Sequence, residues 1–122
     1  MDCIDNKLFS KPVVIFGAAE NGRKTQTMLS ELEVDIKFFV DNDPLKWGQT
    51  INGISIVSPD DLFKEFKEIP IIIASTSFFE IERQLRQAGF EIIYDIGFIE
   101  EQLSQKFKVT MFLRKLQIKL QR

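Results

Sequence analysis

Short apolar runs, separated by longer stretches of mixed polarity, constrain this sequence more than any other feature. Val13-Val14-Ile15-Phe16 and Ile71-Ile72-Ile73-Ala74 are apolar at every position. A strand made that way has no polar face to turn toward water, so both of its faces need covering, as in a parallel sheet with helices on each side. Ile36 to Val40, Ile54 to Val57 and Glu91 to Tyr94 add three further strands, for about five parallel strands in all. Between them, Asn21 to Glu33 carries Met28, Leu29 and Leu32 on one side and is expected to be a helix. Ser58-Pro59-Asp60-Asp61 opens another, running to about Phe66, with Ser58 as N-cap, Pro59 at the first helical position and two acids at the positive helix end. A third spans about Phe78 to Ala88 and closes at Gly89, a residue suited to a left-handed cap. Asp41-Asn42-Asp43-Pro44 stops the second strand, and a loop follows from Leu45 to Asn52, with Gly48 and Gly53 as turn positions.

The first strand runs straight into Gly17-Ala18-Ala19-Glu20-Asn21-Gly22, which then opens the first helix. This fits a G-x-G-x-x-G phosphate loop with Ala19 in the middle glycine position. The first glycine permits the tight turn, the last lets helix and strand pack closely, and the helix N-terminus offers N–H groups and a partial positive charge to a phosphate. The methyl group of Ala19 makes close approach of a pyrophosphate harder. Asp41, at the end of the second strand, is an acceptor for ribose hydroxyls and would repel a ribose phosphate. With its neighbours it also makes an ordinary turn. Ser75, Thr76 and Ser77 leave the central strand on the same sheet edge, where hydroxyls can meet a ribose or phosphate, or one of them can simply cap the next helix. Asn42 lies in the same turn. Lys46 can pair with a phosphate and Trp47 can stack on a base, or Trp47 can anchor its loop against the body. The pattern is that of an α/β, Rossmann-like three-layer sandwich with a nucleotide site at the carboxyl ends of its strands.

Composition removes several function classes. The chain has no histidine, and Cys3 is its only cysteine. That excludes a disulfide within the chain and a zinc cluster, and it leaves Cys3 without an activating histidine. Tyr94 is the sole tyrosine, and the fourth residue beyond it is Phe98, so the Tyr-x-x-x-Lys pair of short-chain dehydrogenases is missing. No catalytic group stands out. A net charge of −2 gives no reason to expect nucleic acid as a partner. Neither a signal peptide nor a transmembrane run is evident, and a cytoplasmic location is the default expectation.

The last residues differ from the rest. Lys106, Lys108, Arg114, Lys115, Lys119 and Arg122 stand there without one acid, interleaved with Phe107, Val109, Met111 and Leu113. The expected division is a domain over 1–98 and a basic amphipathic tail over 99–122, helical at least at first. Leu116-Gln117-Ile118-Lys119-Leu120 alternates with a period of two, which leaves the end of that helix open. The 103–120 stretch suits a homodimer or partner-domain contact, an amphipathic helix on anionic lipid, or a connector to another domain.

Several spaced segments together resemble a known bacterial module. They are Val14 to Arg23, Phe39-Val40-Asp41-Asn42-Asp43-Pro44, Lys46-Trp47-Gly48, Ile51-Asn52-Gly53, Val57-Ser58-Pro59, Ile71 to Ser75 and Gln84 to Phe90. Over residues 12 to 95 the chain looks like the small Rossmann-like domains attached to nucleotide-sugar dehydratases, sugar acyltransferases, glycosyltransferases and methyltransferases of surface-polysaccharide metabolism. It departs at Ala19, where that family often has glycine. The resemblance implies a module that binds NAD(P), a nucleotide or a nucleotide-sugar, or acts as an accessory, while the chemistry lies in another domain. A ligand-free scaffold and the leading part of a sugar-nucleotide-modifying enzyme are the alternatives.

Overall fold

The computed structural model describes residues 9–120; Cys3 and Arg122, singled out above, lie outside them. In chain order the elements are β1 (Val13–Phe16), α1 (Glu20–Glu31), β2 (Ile36–Val40), a 3-10 turn (Pro44–Lys46), β3 (Thr50–Ile51), β4 (Ile54–Val57), α2 (Pro59–Leu62), β5 (Ile71–Ile73), α3 (Phe78–Gln87), β6 (Ile93–Asp95) and α4 (Ile96–Leu120). They form one six-stranded sheet in the order β3-β4-β2-β1-β5-β6. The five strands expected from sequence are all present and run parallel; a sixth, β3, is antiparallel to β4 at the edge.

β1 alternates its side chains between two cores. Val13 and Ile15 pack with Leu29 and Ile99 on one face, while Val14 and Phe16 pack with Leu62, Ile81 and Leu85 on the other. α1 and α4 therefore cover one face, α2 and α3 the other. All four β1 residues are buried, which is why the run contains no polar position.

The last strand is Ile93–Asp95 instead of Glu91 to Tyr94, α1 is Glu20–Glu31 instead of Asn21 to Glu33, and three further boundaries differ from expectation. The loop expected over Leu45 to Asn52 ends in a hairpin: Ile51 faces Ile54 across a two-residue turn in which Asn52 (φ 49°) and Gly53 (φ 83°) both adopt positive φ. Asn-Gly is the residue pair that such a turn favours. α2 stops after Leu62 instead of near Phe66. Phe66 would extend the stripe begun by the fully buried Leu62, but it is 80% exposed, so no burial supports another turn. α4 starts at Ile96 and stays helical to Leu120. Val109, Phe112, Leu113 and Leu116 satisfy the i, i+3, i+4, i+7 helical spacing, which outweighs the short period-two run that follows them. The cap expected at Gly89 is present: its φ is 98°, and the Gly89 and Phe90 N–H groups donate to the Arg86 and Leu85 carbonyls at 3.0 Å each.

Candidate functional site

β1 lies between β2 and β5, and the connections leaving β1 and β5 pass to opposite faces of the sheet. The carboxyl ends of β1 and β5 therefore flank the point where strand order reverses, the crevice in which open α/β sheets bind ligands. The backbone there is closely fitted. Gly17 has a φ of 120°, and a Cβ on it would lie 2.3 Å from the Ala74 carbonyl oxygen. A Cβ on Gly22 would lie 2.1 Å from the Gly17 carbonyl oxygen and 3.5 Å from the Phe39 ring. Glycine at both positions lets the turn, the start of α1 and the end of β5 share one small volume. The Gly17 N–H donates to the Val40 carbonyl at 2.7 Å, and the Ala74 N–H donates to that of Phe16 at 2.8 Å, so the ladder continues into both loops.

α1 begins after Ala19 with no side chain capping it, so the N–H groups of its first turn lack an intrahelical acceptor. Such an end attracts an anion through its dipole. Glu20, exposed in that first turn, adds a negative charge of its own at this end.

Asp41 ties this loop to the end of β2. Its Oδ2 accepts the Ala18 N–H at 2.9 Å, and its Oδ1 accepts the Asp43 N–H at 2.9 Å. A carboxylate has about four acceptor positions, so two remain for a ligand hydroxyl. The Lys46 ammonium reaches the Ala18 carbonyl at 3.3 Å, which places a cation beside the glycine turn. Trp47, 42% exposed, donates its indole N–H to the Asp41 carbonyl at 2.7 Å. Ala18, Asp41, Lys46 and Trp47 thus form one hydrogen-bonded cluster beside the Gly17 turn, with Ala19, Glu20, Asn21 and Gly22 leading from it into α1.

The remaining expected residues are arranged differently. Asn42 turns away to α3, where it and Gln84 exchange two side-chain hydrogen bonds of 3.2 and 3.1 Å. Ser75 follows β5, its Oγ accepting the Ser77 N–H at 3.0 Å. Ser77 occupies the N-cap position of α3 without making a side-chain cap bond, and Thr76 and Ser77 are exposed. Gln84 was invisible to spacing arguments, since only the fold brings it opposite Asn42. So was Gln26, buried in α1: its amide donates to the Ile51 carbonyl at 3.2 Å and accepts from Asn52 at 2.9 Å, fastening the hairpin to the helix.

Two sizeable cavities lie away from this edge. One, of about 520 Å³, runs between α1 and α4 past Met28, Leu103 and Phe107. The other, about 880 Å³ and more polar, lies beneath the end of α1 near Gln26, Glu33 and Asn52. Among the described residues no group of three His, Cys, Asp or Glu is placed to hold a metal ion, and no helix is long and apolar enough to cross a membrane.

The family described as "C2185-like, N-terminal" matches residues 9–95. The chain belongs to that family. Its matched part ends with β6 and takes in the whole cluster just described. A UDP-D-quinovosamine 4-dehydrogenase from Vibrio fischeri is similar in structure, with a TM-score of 0.59 and 24% identity, covering 71% of this chain and 78% of the other. A Rex-family repressor, RSP, is similar with a TM-score of 0.54 and 15% identity, covering 88% of this chain and 64% of that one. No curated protein matches. At these identities the likeness establishes the fold, which is Rossmann-like, mixed α/β and mostly parallel.

Proposed function

We propose that this chain is a non-catalytic module that binds a nucleotide or nucleotide-sugar, with phosphate at the Gly17 turn and a ribose hydroxyl at Asp41. The observation that carries the proposal is the cluster itself. An uncapped helix N-terminus, a glycine turn, a carboxylate with acceptor positions to spare and a lysine ammonium converge at the strand-order reversal. Each matches one part of such a ligand: N–H groups and ammonium for phosphate, carboxylate for hydroxyls, the exposed Trp47 ring for a base. The structural neighbour is named for a UDP-sugar, which favours the nucleotide-sugar class; a place in sugar-nucleotide or polysaccharide metabolism, in the cytoplasm, is part of the proposal. Within the proposal, 1–98 is the binding domain and 99–122 the tail, whose first turn packs into that domain's core through Ile99.

One observation favours a second reading, a scaffold that retains the fold without the ligand. Both Asp41 oxygens already hold backbone N–H groups, and Glu20 supplies negative charge where a phosphate would sit. The two readings separate in one experiment. The purified chain is unfolded thermally against NAD, NADP, ATP, CoA and UDP- and dTDP-sugars. A ligand at a hundred times its Kd, bound only by the folded state, adds about 2.7 kcal/mol, a readily seen shift. A well-folded protein whose Tm no member of the panel moves supports the scaffold. Asp41→Ala is a poor variant here, because losing the Ala18 and Asp43 hydrogen bonds loosens the loop under either reading. Lys46→Ala is better, since it removes a cation from the rim at the cost of a single 3.3 Å contact, to the Ala18 carbonyl.

A further inference from the structure

We infer that the projecting half of α4 is a self-association surface whose occupant is the α4 helix of a second copy, packed antiparallel. Lys106 still reaches the Glu31 carbonyl and lies 4.0 Å from Glu33, and Phe107 and Thr110 line the cavity against α1; beyond them the described side chains are mostly exposed. Phe107, Val109, Phe112, Leu113 and Leu116 are 64, 56, 64, 55 and 44% exposed. Val109, Phe112 and Leu116 continue a 4-3-4-3-4 series that starts at Phe98, Gln102 and Gln105 on the same helix, the seam spacing of two paired helices. A patch of this kind on a soluble surface calls for a partner.

Charge selects which partner. All 18 acids of the chain precede residue 106, against ten of its 16 bases, so the body carries −8 and the tail +6. The same division runs along α4: Glu100 and Glu101 lie in its first turns, and the described bases lie at and beyond Lys106. A parallel pair would set bases against bases. An antiparallel pair with its axis near residue 107 sets Phe98 beside Leu116 of the second copy, Gln102 beside Phe112, Gln105 beside Val109, and Glu101 beside Lys115. Near the axis Lys108 meets its own copy; Lys106, on the other flank of the seam, is turned to Glu31 and Glu33. An anionic lipid surface would attract the tail but repel a body of net charge −8 held close behind it.

Sedimentation velocity of the 122-residue chain over a concentration series tests the inference. A dimer is expected. Phe112→Glu with Leu113→Glu should weaken it about tenfold or more, because two apolar side chains leave the interface, while the Tm of the subunit stays put, since both are exposed in it. Glu101→Lys should also weaken the dimer, and adding Lys115→Glu to it should restore much of the loss. That rescue belongs to the antiparallel register alone. A wild-type chain that stays monomeric at high concentration overturns the inference, as does a dimer indifferent to the Phe112 and Leu113 changes or a charge reversal without rescue. A monomer that co-sediments with phosphatidylserine vesicles would reassign the surface to lipid.

Discussion

Replacing Gly22 by alanine isolates how tightly the glycine turn is packed. Gly22 has an ordinary helical φ, so the substitution adds no backbone strain of the left-handed kind, and alanine in a helix gains about 1 kcal/mol over glycine in propensity. Against that gain, the new Cβ would sit 2.1 Å from the Gly17 carbonyl oxygen and 3.1 Å from its carbon. Cβ contacts below 3.0 Å are essentially never seen, so the start of α1 and the turn must separate by about 0.9 Å (3.0 less 2.1). Both obstructing atoms are backbone, and the space beside Gly17 is itself closed by the Ala74 carbonyl, so neither partner can swing away. Overpacking of side chains costs about 1–3 kcal/mol, and backbone against backbone belongs at or above the upper end. After the propensity gain, a net loss of about 2 kcal/mol is expected, or roughly 6–10 °C in Tm at this chain length. Differential scanning calorimetry and urea unfolding would measure it, with Gly53→Ala as the control. At Gly53 the added methyl meets nothing within 4 Å, but φ is positive, so only backbone strain of about 1 kcal/mol applies. A Gly22→Ala protein as stable as wild type, or more stable than Gly53→Ala, would refute the packing argument.

Other outcomes follow from single contacts. Ser58→Ala removes the hydroxyl that accepts the Asp61 N–H at 3.2 Å and should lower stability by about 1 kcal/mol in urea titration. Ile99→Ala should cost about 3 kcal/mol, because Ile99 is fully buried among Val13, Ile15 and Leu29; a change near zero would mean that the first turns of α4 are detachable from the core. Lys46→Ala should leave the unfolding free energy within about 1 kcal/mol of wild type, as expected for a half-exposed lysine, yet weaken any phosphate-bearing ligand about tenfold in calorimetric titration. A double-mutant cycle on Asn42 and Gln84 should give a coupling of about 1 kcal/mol or less, since the paired amides face water.

The sequence alone determined the elements whose cause is local. β1 and β5 were legible because a run with no polar residue has one home, a strand covered on both faces. The start of α2 and the end of α3 were legible because Ser58-Pro59 and Gly89 act on groups within a few residues of themselves. The glycine turn was legible as a motif for the same reason, down to the close packing that Gly17 and Gly22 permit. What depends on distant partners waited for the tertiary structure. The two-residue strand β3 exists only because β4 and Gln26 supply its hydrogen bonds, though Asn52-Gly53 was a signal for its turn. α2 ends early because nothing covers Phe66. Asp41 lies at the end of β2, where its turn sequence puts it, but only the folded chain brings it to the Ala18 N–H, 23 residues away, and turns Asn42 to Gln84 across 42. Local propensity acts over one turn of chain, whereas a side chain's hydrogen bonds are settled by whichever donors and acceptors packing delivers. The motif was therefore written in the sequence, and the occupancy of its carboxylate was not.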